Sequence, residues 1–245
     1  MNESQLIFFR KTSLVDYPEK VAAAIFFPFC NLRCPWCHNG SLITEDPQRR
    51  DTSGLIPLRD ALSHIKKRAL VLDGAVLSGG EPTLYNGLEE LIAVIKEQGL
   101  AVKLDTNGTH PALLAHLLAA DAHPDYVAMD LKFDPRRYES LLHSLHKNNE
   151  LCGKVLESIA LLRKAHAEGK IQLEFRSLAL PRATFCPEDI AALAPLVGNA
   201  PWSIRPFRPG GCLDPAWNLE NEISENEVAR LARLIPFTAA DQDVL

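Results

Sequence analysis

The sequence predicts an α/β protein with a central sheet of parallel strands. Short apolar runs alternate with longer segments in which apolar residues recur three and four positions apart, and this alternation is typical of strands joined by crossover helices. Polar, glycine-rich and cysteine-bearing motifs directly follow the apolar runs, at the strand ends where α/β proteins place their active sites. Periodicity alone leaves two architectures open, an open doubly wound sheet and an incomplete barrel.

The predicted strands are short apolar runs bounded by turn signals, charges or cysteine. In order they are VAAAIFFPF, GAVLS, AVKLD, YVAMDL, QLEFRSLAL and WSIRPF, which cover residues 21–29, 74–78, 101–105, 126–131, 172–180 and 202–207. The predicted helices show helical spacing of apolar residues, as in Leu88, Leu91, Ile92 and Ile95. They lie near residues 57–70, 87–98, 111–120, 151–168, 187–197 and 224–235. Six strand–helix repeats result, and residues 132–150 are predicted to form a surface connection.

Composition and charge indicate a globular protein. The chain has 245 residues, of which 47% are hydrophobic and 23% charged, so we expect a single domain over residues 1–245 with a core at about 21–210 and short extensions on either side. A net charge of −5 argues against a nucleic-acid partner. The N-terminal residues do not resemble a signal peptide, and no apolar run approaches the roughly eighteen residues of a membrane span. We therefore expect a cytoplasmic protein without a membrane partner.

Three cysteines after the first predicted strand form the strongest motif of the sequence. Cys30, Cys34 and Cys37 are separated by three and then by two residues. A four-iron cluster normally takes four thiolates, so a loop that supplies three leaves one iron open for another ligand. The alternative is a zinc site completed by His38, but zinc sites usually pair their cysteines in two separate knuckles. We therefore favour an iron–sulfur cluster.

The other cysteines are scattered along the chain and form no second loop of this kind. We expect buried structural thiols at these positions, which are Cys152, Cys186 and Cys212. An auxiliary cluster is therefore not predicted.

Glycines and charged residues follow the next three predicted strands. The second strand ends in Gly79-Gly80-Glu81-Pro82, where paired glycines permit a ligand to approach the backbone closely, although a plain strand-to-helix turn is the simpler interpretation. Asp105 ends the third strand, and Asp130 lies beside Lys132 at the end of the fourth. Buried charges need partners, which a polar ligand, a cation or an internal Asp–Lys pair would supply.

The last two predicted strands add arginines to this polar set. Glu174 and Arg176 are two residues apart on the fifth strand, so we expect their side chains on the same face. Arg176 would bind a carboxylate bidentately or form a salt bridge to Glu174 or Asp130. Arg208 follows the sixth strand at the predicted mouth of the site, where it would meet a ligand or a partner.

The three-cysteine loop, with Trp36 before its last cysteine and the Gly-Gly-Glu-Pro turn after the next strand, resembles the radical S-adenosylmethionine superfamily in motif, order and strand position. Four further segments resemble the activating enzymes of glycyl radical enzymes, and most of all the activating proteins of anaerobic ribonucleoside-triphosphate reductase. They are KTSLVDYP at 11–18, DTNG at 105–108, DLK at 130–132 and FRPG at 207–210. This resemblance spans nearly the whole chain and implies a partial barrel of six strand–helix units.

The resemblance also implies roles for individual residues. Cys30, Cys34 and Cys37 would ligate three irons of a four-iron, four-sulfur cluster, and the amino and carboxylate groups of S-adenosylmethionine would bind the fourth. Asp105 and Asp130 would hold a monovalent cation near that cofactor. The implied contacts to S-adenosylmethionine are Trp36 beside the adenine, then Gly79, Gly80, Glu81, Asp130, Lys132, Arg176 and Arg208.

The implied activity is reductive cleavage of S-adenosylmethionine, followed by formation of a glycyl radical on anaerobic ribonucleotide reductase. A low-potential donor such as flavodoxin or ferredoxin would supply the electron. Three alternatives stay open: an activase of another glycyl radical enzyme, a small-substrate enzyme resembling 7-carboxy-7-deazaguanine synthase, and a zinc-stabilised binding module. Two positions depart from the family pattern, because Glu19 and Phe29 stand where glycine is common.

Overall fold

The computed structural model describes residues 1–45, 51–144, 150–182 and 184–236. The strands in these residues are β1 (Leu6–Ser13), β2 (Ala22–Phe27), β3 (Leu32–Arg33), β4 (Leu55–Pro57), β5 (Gly74–Gly79), β6 (Ala101–Thr106), β7 (Tyr126–Asp130), β8 (His143–Ser144), β9 (Gln172–Ala179) and β10 (Trp202–Pro206). The α-helices are α1 (Gly40–Ile43), α2 (Leu58–Arg68), α3 (Leu88–Lys96), α4 (Pro111–Ala119), α5 (Tyr138–Leu141), α6 (Leu151–Ala167), α7 (Pro187–Val197) and α8 (Glu225–Ala232). Short 3-10 turns occupy Pro82–Leu84, Pro135–Arg137 and Pro215–Leu219.

The strand order decides between the two architectures that periodicity leaves open. The main sheet has eight strands in the order β10-β9-β7-β6-β5-β2-β1-β4. Strands β2, β5, β6, β7, β9 and β10 are parallel and lie side by side in chain order. A doubly wound sheet would reverse its order at a switch point, whereas strands that follow the chain order are typical of a barrel. The prediction of a partial barrel of six parallel strands is confirmed.

The six predicted strands and six long helices are all present, with ends that differ by a few residues from those predicted. The structure adds β1, which pairs antiparallel with β2, and β4, which pairs antiparallel with β1. A second small sheet joins β3 of the cysteine loop to β8. Among the described helices, none has both the length and the apolar composition that a transmembrane span needs.

The segment 132–150 was predicted to be a surface connection, and this prediction is wrong for its described part. Phe133 and Tyr138 are fully buried, and the Tyr138 hydroxyl accepts a hydrogen bond from Lys132 N at 2.9 Å. The segment therefore packs into the core next to the end of β7, because two isolated aromatic side chains anchor it among charged residues. Residues 145–149 lie outside the described part of the chain.

The inner face of the barrel is apolar where the strands begin and charged further along. At the strand starts, Tyr17 from the β1–β2 connection packs edge-to-face on Tyr126, with ring centroids 5.8 Å apart. Ala22, Ala24 and Val76 complete this small cluster. The opposite faces of the strands pack against the helices in the main core. Bulky side chains thus close the amino end of the barrel, and polar chemistry is confined to the carboxyl end.

Candidate active site

A cavity of about 470 Å³ opens at the carboxyl ends of the parallel strands. Most residues that the sequence analysis singled out line it: Cys30, Cys34, Trp36, Cys37, Gly79, Gly80, Asp105, Asp130, Lys132 and Arg176. The predicted convergence of the motifs on one face is therefore confirmed. The lining residues come from the ends of five different strands. Glu81 and Arg208, by contrast, do not line this cavity.

The cysteine loop leaves β2 and folds back over the cavity before α1. Cys34 is buried, while Cys30 and Cys37 are partly exposed, and Cys37 N donates to Cys34 O at 3.0 Å. Burial raises the pKa of Cys30 to about 11 and that of Cys34 to about 12, and it raises the pKa of Cys37 as well. The free thiols are therefore protonated at neutral pH, and a bound metal would have to displace their protons.

The arrangement of the thiols bears on the choice between a cluster and zinc. In the residues that the structure describes, no three side chains of His, Cys, Asp or Glu come together as the ligands of one metal ion. Three thiols that line one cavity without meeting at a point suit a polynuclear cluster, whose irons are spread apart, better than a single tetrahedral zinc ion. The donor set thus fits an iron–sulfur cluster.

The paired glycines hold the loop after β5 against the cysteine loop. Gly79 has φ of 113°, and a Cβ atom there would lie 2.2 Å from Phe27 N. A Cβ atom on Gly80 would lie 1.9 Å from Phe29 O, the carbonyl just before the first cysteine. Only glycine permits this approach. The Gly79 carbonyl already accepts a hydrogen bond from Asn39 Nδ2 at 2.7 Å, which leaves one lone pair for a ligand.

Glu81 was predicted to contact the cofactor, but the structure places it behind the cavity wall. Its buried carboxylate accepts hydrogen bonds from Thr106 Oγ1 and from Asn107 N, both at 2.7 Å, and from Thr83 Oγ1 at 2.5 Å. Burial raises the pKa of Glu81, and these hydrogen bonds oppose the rise. Because both carboxylate oxygens are used within the chain, Glu81 fastens the glycine loop to the end of β6 and is not a cofactor contact.

A row of charged side chains of alternating sign borders the cavity: Asp105, Asp130, Lys132 and Arg176 line it, and the buried Lys103 joins the row through Asp105. Lys103 Nζ lies 2.5 Å from Asp105 Oδ1, and Arg176 Nη1 lies 3.3 Å from that same oxygen. Arg176 Nη2 lies 2.9 Å from Asp130 Oδ1, and Lys132 Nζ lies 2.8 Å from Asp130 Oδ2. Although burial disfavours its charge, Asp130 has a pKa well below the usual range because Arg176 and Lys132 stabilise the carboxylate. The row contains three cations and two anions.

This row settles the partners that the sequence left open for Arg176 and Lys132. Arg176 pairs with Asp130 rather than with Glu174, whose carboxylate accepts from Ser203 Oγ at 2.7 Å and lies 3.3 Å from Arg205 Nη2. Lys132 forms the internal Asp–Lys pair with Asp130. A monovalent cation between Asp105 and Asp130 would compete with the Arg176 guanidinium that already bridges them, and it stays a prediction.

The structure places Trp36 at the cavity, as predicted, but not Arg208. Trp36 lines the cavity and is 5% exposed, with its ring centroid 5.2 Å from that of Trp217. Arg208 lies outside the cavity, is 65% exposed, and pairs with Glu222 at 2.9 Å. The prediction that Arg208 meets the cofactor is not supported, because β10 ends before it and the C-terminal segment supplies its partner.

Several residues of the site escaped the sequence analysis. The most relevant are Asn31, Asn39, Ser78 and Thr109, which supply hydrogen bonds around the cavity. Ser78 Oγ, for example, donates to Asp105 Oδ2 at 2.8 Å. Each lies within two residues of a motif that was recognised, and this proximity was the one signal available in the sequence.

The fold, the cavity and the motifs agree with comparison to known proteins. A family model described as the Radical SAM superfamily matches residues 24–194. The chain belongs to the radical SAM superfamily. It is therefore an enzyme, and its cofactors are a four-iron, four-sulfur cluster and S-adenosylmethionine.

Relatives within the superfamily are more specific. The chain is 31% identical over 224 residues to a protein of Methanocaldococcus jannaschii provisionally named a glycyl-radical enzyme activating enzyme, covering 91% of this chain and 88% of the relative. It is 26% identical to the pyruvate formate-lyase-activating enzyme of Clostridium pasteurianum, over 76% of this chain and 73% of that enzyme. The predicted resemblance to activating enzymes of glycyl radical enzymes is confirmed, and the chain is placed among them.

Two other similarities are narrower. The 7-carboxy-7-deazaguanine synthase of Neisseria meningitidis is 35% identical over 83 residues, which cover 34% of each chain. The solved structure of TYW1 with a lysine–pyruvate adduct bound superposes with a TM-score of 0.59 at 16% identity, over 87% of this chain and 72% of TYW1. The second similarity shows a shared fold only.

Proposed function

We propose that this radical S-adenosylmethionine enzyme generates a glycyl radical on anaerobic ribonucleoside-triphosphate reductase. The observation that carries the proposal is that three cysteines and a paired-glycine loop line the same cavity. The chain that contains them is similar over 91% of its length to the protein provisionally named an activating enzyme. The choice of reductase rests on the segments at 11–18 and 207–210, which resemble those of the reductase activases. Pyruvate formate-lyase is the alternative target, because its activating enzyme is also a relative.

Cys30, Cys34 and Cys37 would hold the cluster through three irons and leave the fourth for the amino and carboxylate groups of S-adenosylmethionine. A cluster held there would supply the electron for reductive cleavage of S-adenosylmethionine, which is the chemistry needed to remove a hydrogen atom from a glycine of the partner. Within the loop, Cys34 and Trp36 are buried and would limit the access of water on their side of the site.

The chain's own polar groups would orient S-adenosylmethionine. Gly79 and Gly80 line the cavity, and their carbonyl oxygens would accept hydrogen bonds from an ammonium group. Lys132 and Arg176 suit a carboxylate, because the row of charges to which they belong has one cation more than it has anions. Trp36 is the aromatic surface available to the adenine.

The protein surface offers a place for a macromolecular partner. Leu14 and Val15, in the segment that resembles the activases, are 74% and 81% exposed. Contiguous exposed apolar surface can mark a contact site, and we propose that these two neighbouring side chains belong to the surface that meets the partner. A low-potential donor such as flavodoxin or ferredoxin would deliver the electron. We propose the cytoplasm as the compartment, because thiols stay reduced there.

The ligand assignment is tested by Cys34→Ala. We expect this variant to fold but to show neither cluster absorbance after anaerobic reconstitution nor formation of 5′-deoxyadenosine, because three protein thiolates are needed to hold the cluster. The matched control is Cys212→Ala, which removes another buried thiol next to the loop, where Leu213 N donates to Cys37 O at 3.0 Å. The control should keep both signals. Normal turnover in Cys34→Ala would contradict the assignment.

The partner is tested by electron paramagnetic resonance. Reconstituted protein, S-adenosylmethionine and a reductant should produce a glycyl radical signal when anaerobic ribonucleotide reductase is added, and none without an acceptor enzyme. The reductase with its radical glycine replaced by alanine is the control. A signal with pyruvate formate-lyase alone would change the target. Turnover of a small molecule without any acceptor would instead favour the deazaguanine-synthase alternative, which the partial match to that enzyme raises.

A further inference from the structure

A side-chain amide from the residue that follows β6 points at the first cysteine of the loop. Asn107 Nδ2 lies 3.9 Å from Cys30 Sγ, within the range of a hydrogen bond to sulfur. Leu32 N donates to the same sulfur at 3.4 Å. The Leu32 donor belongs to the backbone of the loop, whereas the Asn107 donor comes from the turn after β6, 77 residues further along the chain.

The orientation of the Asn107 amide follows from its neighbours. Its Oδ1 accepts from Thr109 N at 3.0 Å, and a backbone N–H can only donate, so the oxygen must face Thr109. The NH₂ group is therefore turned towards Asn31 Oδ1, at 3.0 Å, and towards Cys30 Sγ. Each of its two hydrogens has one acceptor.

The surrounding network holds this amide in place. Asn31 Nδ2 donates to Thr109 Oγ1 at 2.8 Å, and Thr109 Oγ1 donates to Asn107 Oδ1 at 2.6 Å, which closes a ring of three side chains. Asn107 N donates to the buried carboxylate of Glu81 at 2.7 Å. Asn31, Thr109 and Asn107 are all buried, with exposures of 5%, 1% and 6%. The amide is therefore largely shielded from bulk water.

We propose that Asn107 is a positioning residue that donates a hydrogen bond to the Cys30 sulfur and raises the reduction potential of the cluster. The inference rests on the proposed ligation of the cluster by Cys30. Reduction adds negative charge that is shared by the sulfur ligands, and a donor to a ligand sulfur stabilises the reduced form more than the oxidised form. Asn107 would thus make the cluster easier to reduce by its electron donor.

The test is a potentiometric titration, followed by electron paramagnetic resonance, of anaerobically reconstituted Asn107→Leu without S-adenosylmethionine. Leucine has a similar size and no donor. At a fixed potential, the ratio of reduced to oxidised cluster should fall by up to about tenfold, which for one electron corresponds to a potential lower by about 59 mV. Asn107→Ala, which also lacks the donor and adds no charge, should lower the potential as well, and it serves if the leucine variant does not fold.

The matched control is Thr109→Val, which breaks the side-chain ring but keeps the Thr109 backbone donor that orients Asn107. This control should lower the potential by much less than the Asn107 variants, because the donor to Cys30 Sγ is still present. An unchanged potential in both Asn107 variants, or an equal fall in Thr109→Val, would overturn the inference. Failure of the proposed function would look different, because it would remove the glycyl radical signal with the reductase and leave these shifts in potential as predicted.

Discussion

Glu19 adopts a left-handed backbone conformation, with φ of 60°, in the connection between β1 and β2. For a residue with a Cβ atom this conformation costs roughly 1–2 kcal/mol, and glycine adopts it freely. The activating enzymes that the sequence resembles have glycine at this position. The structure therefore explains the family preference by backbone geometry, and Glu19 carries a local strain that the exposed side chain does nothing to offset.

Glu19→Gly is accordingly expected to stabilise the protein. We predict a gain of about 1 kcal/mol in the free energy of unfolding, after allowance for the greater flexibility of glycine in the unfolded chain. Denaturant titration of the cluster-free protein measures it. Glu19→Ala is the control, since it removes the same charge but keeps the Cβ atom and should give no gain. Equal effects of the two substitutions would mean that charge rather than backbone conformation is responsible.

At the scale of elements, the spacing of apolar residues along the sequence identifies strands and helices that bury one regular face. The six parallel strands and their helices were predictable because their apolar residues recur at strand or helix spacing. Strand β1 was not, because only Ile7 and Ser13 of its eight residues are buried and the rest of the run mixes aromatic and charged side chains. The described part of 132–150 was missed for a related reason, since Phe133 and Tyr138 stand alone among charges.

In the candidate site, the sequence predicts contacts between residues that are close along the chain and misses contacts between residues that are far apart. The three cysteines lie within a span of eight residues, so their spacing alone indicates that they bind one metal centre. The contact of Asn107 with Cys30 spans 77 residues, and the bridge of Arg176 between Asp105 and Asp130 joins three strands. These relations depend on which strands are neighbours and on side-chain rotamers, neither of which periodicity determines. Arg208 shows the converse, because its position after β10 suggested a cofactor contact, whereas its side chain lies outside the cavity and pairs with Glu222.

At the scale of the whole molecule, the C-terminal segment covers the cysteine loop near the start of the chain. Leu213 N donates to Cys37 O at 3.0 Å, and Asp214 N donates to Pro35 O at 2.9 Å. Trp217 then packs on Trp36, with ring centroids 5.2 Å apart, and edge-to-face on Phe207 at 5.8 Å. The loop that would hold the cluster is therefore shaped by residues about 180 positions further along the chain.

This packing predicts that Trp217→Ala weakens both the fold and the protection of the cluster. Trp217 is 6% exposed, and loss of a buried tryptophan typically costs about 3–5 kcal/mol of the free energy of unfolding. Leu219→Ala is the matched control, because Leu219 lies on the same 3-10 turn but is 87% exposed, and its loss should change stability by less than about 0.5 kcal/mol. Denaturant titration measures the first effect. The rate at which reconstituted protein loses its cluster absorbance in air measures the second effect. This rate should rise in Trp217→Ala alone, since only this variant opens the covering over the loop. Equal rates in both variants would show that the C-terminal segment stabilises the fold without shielding the site.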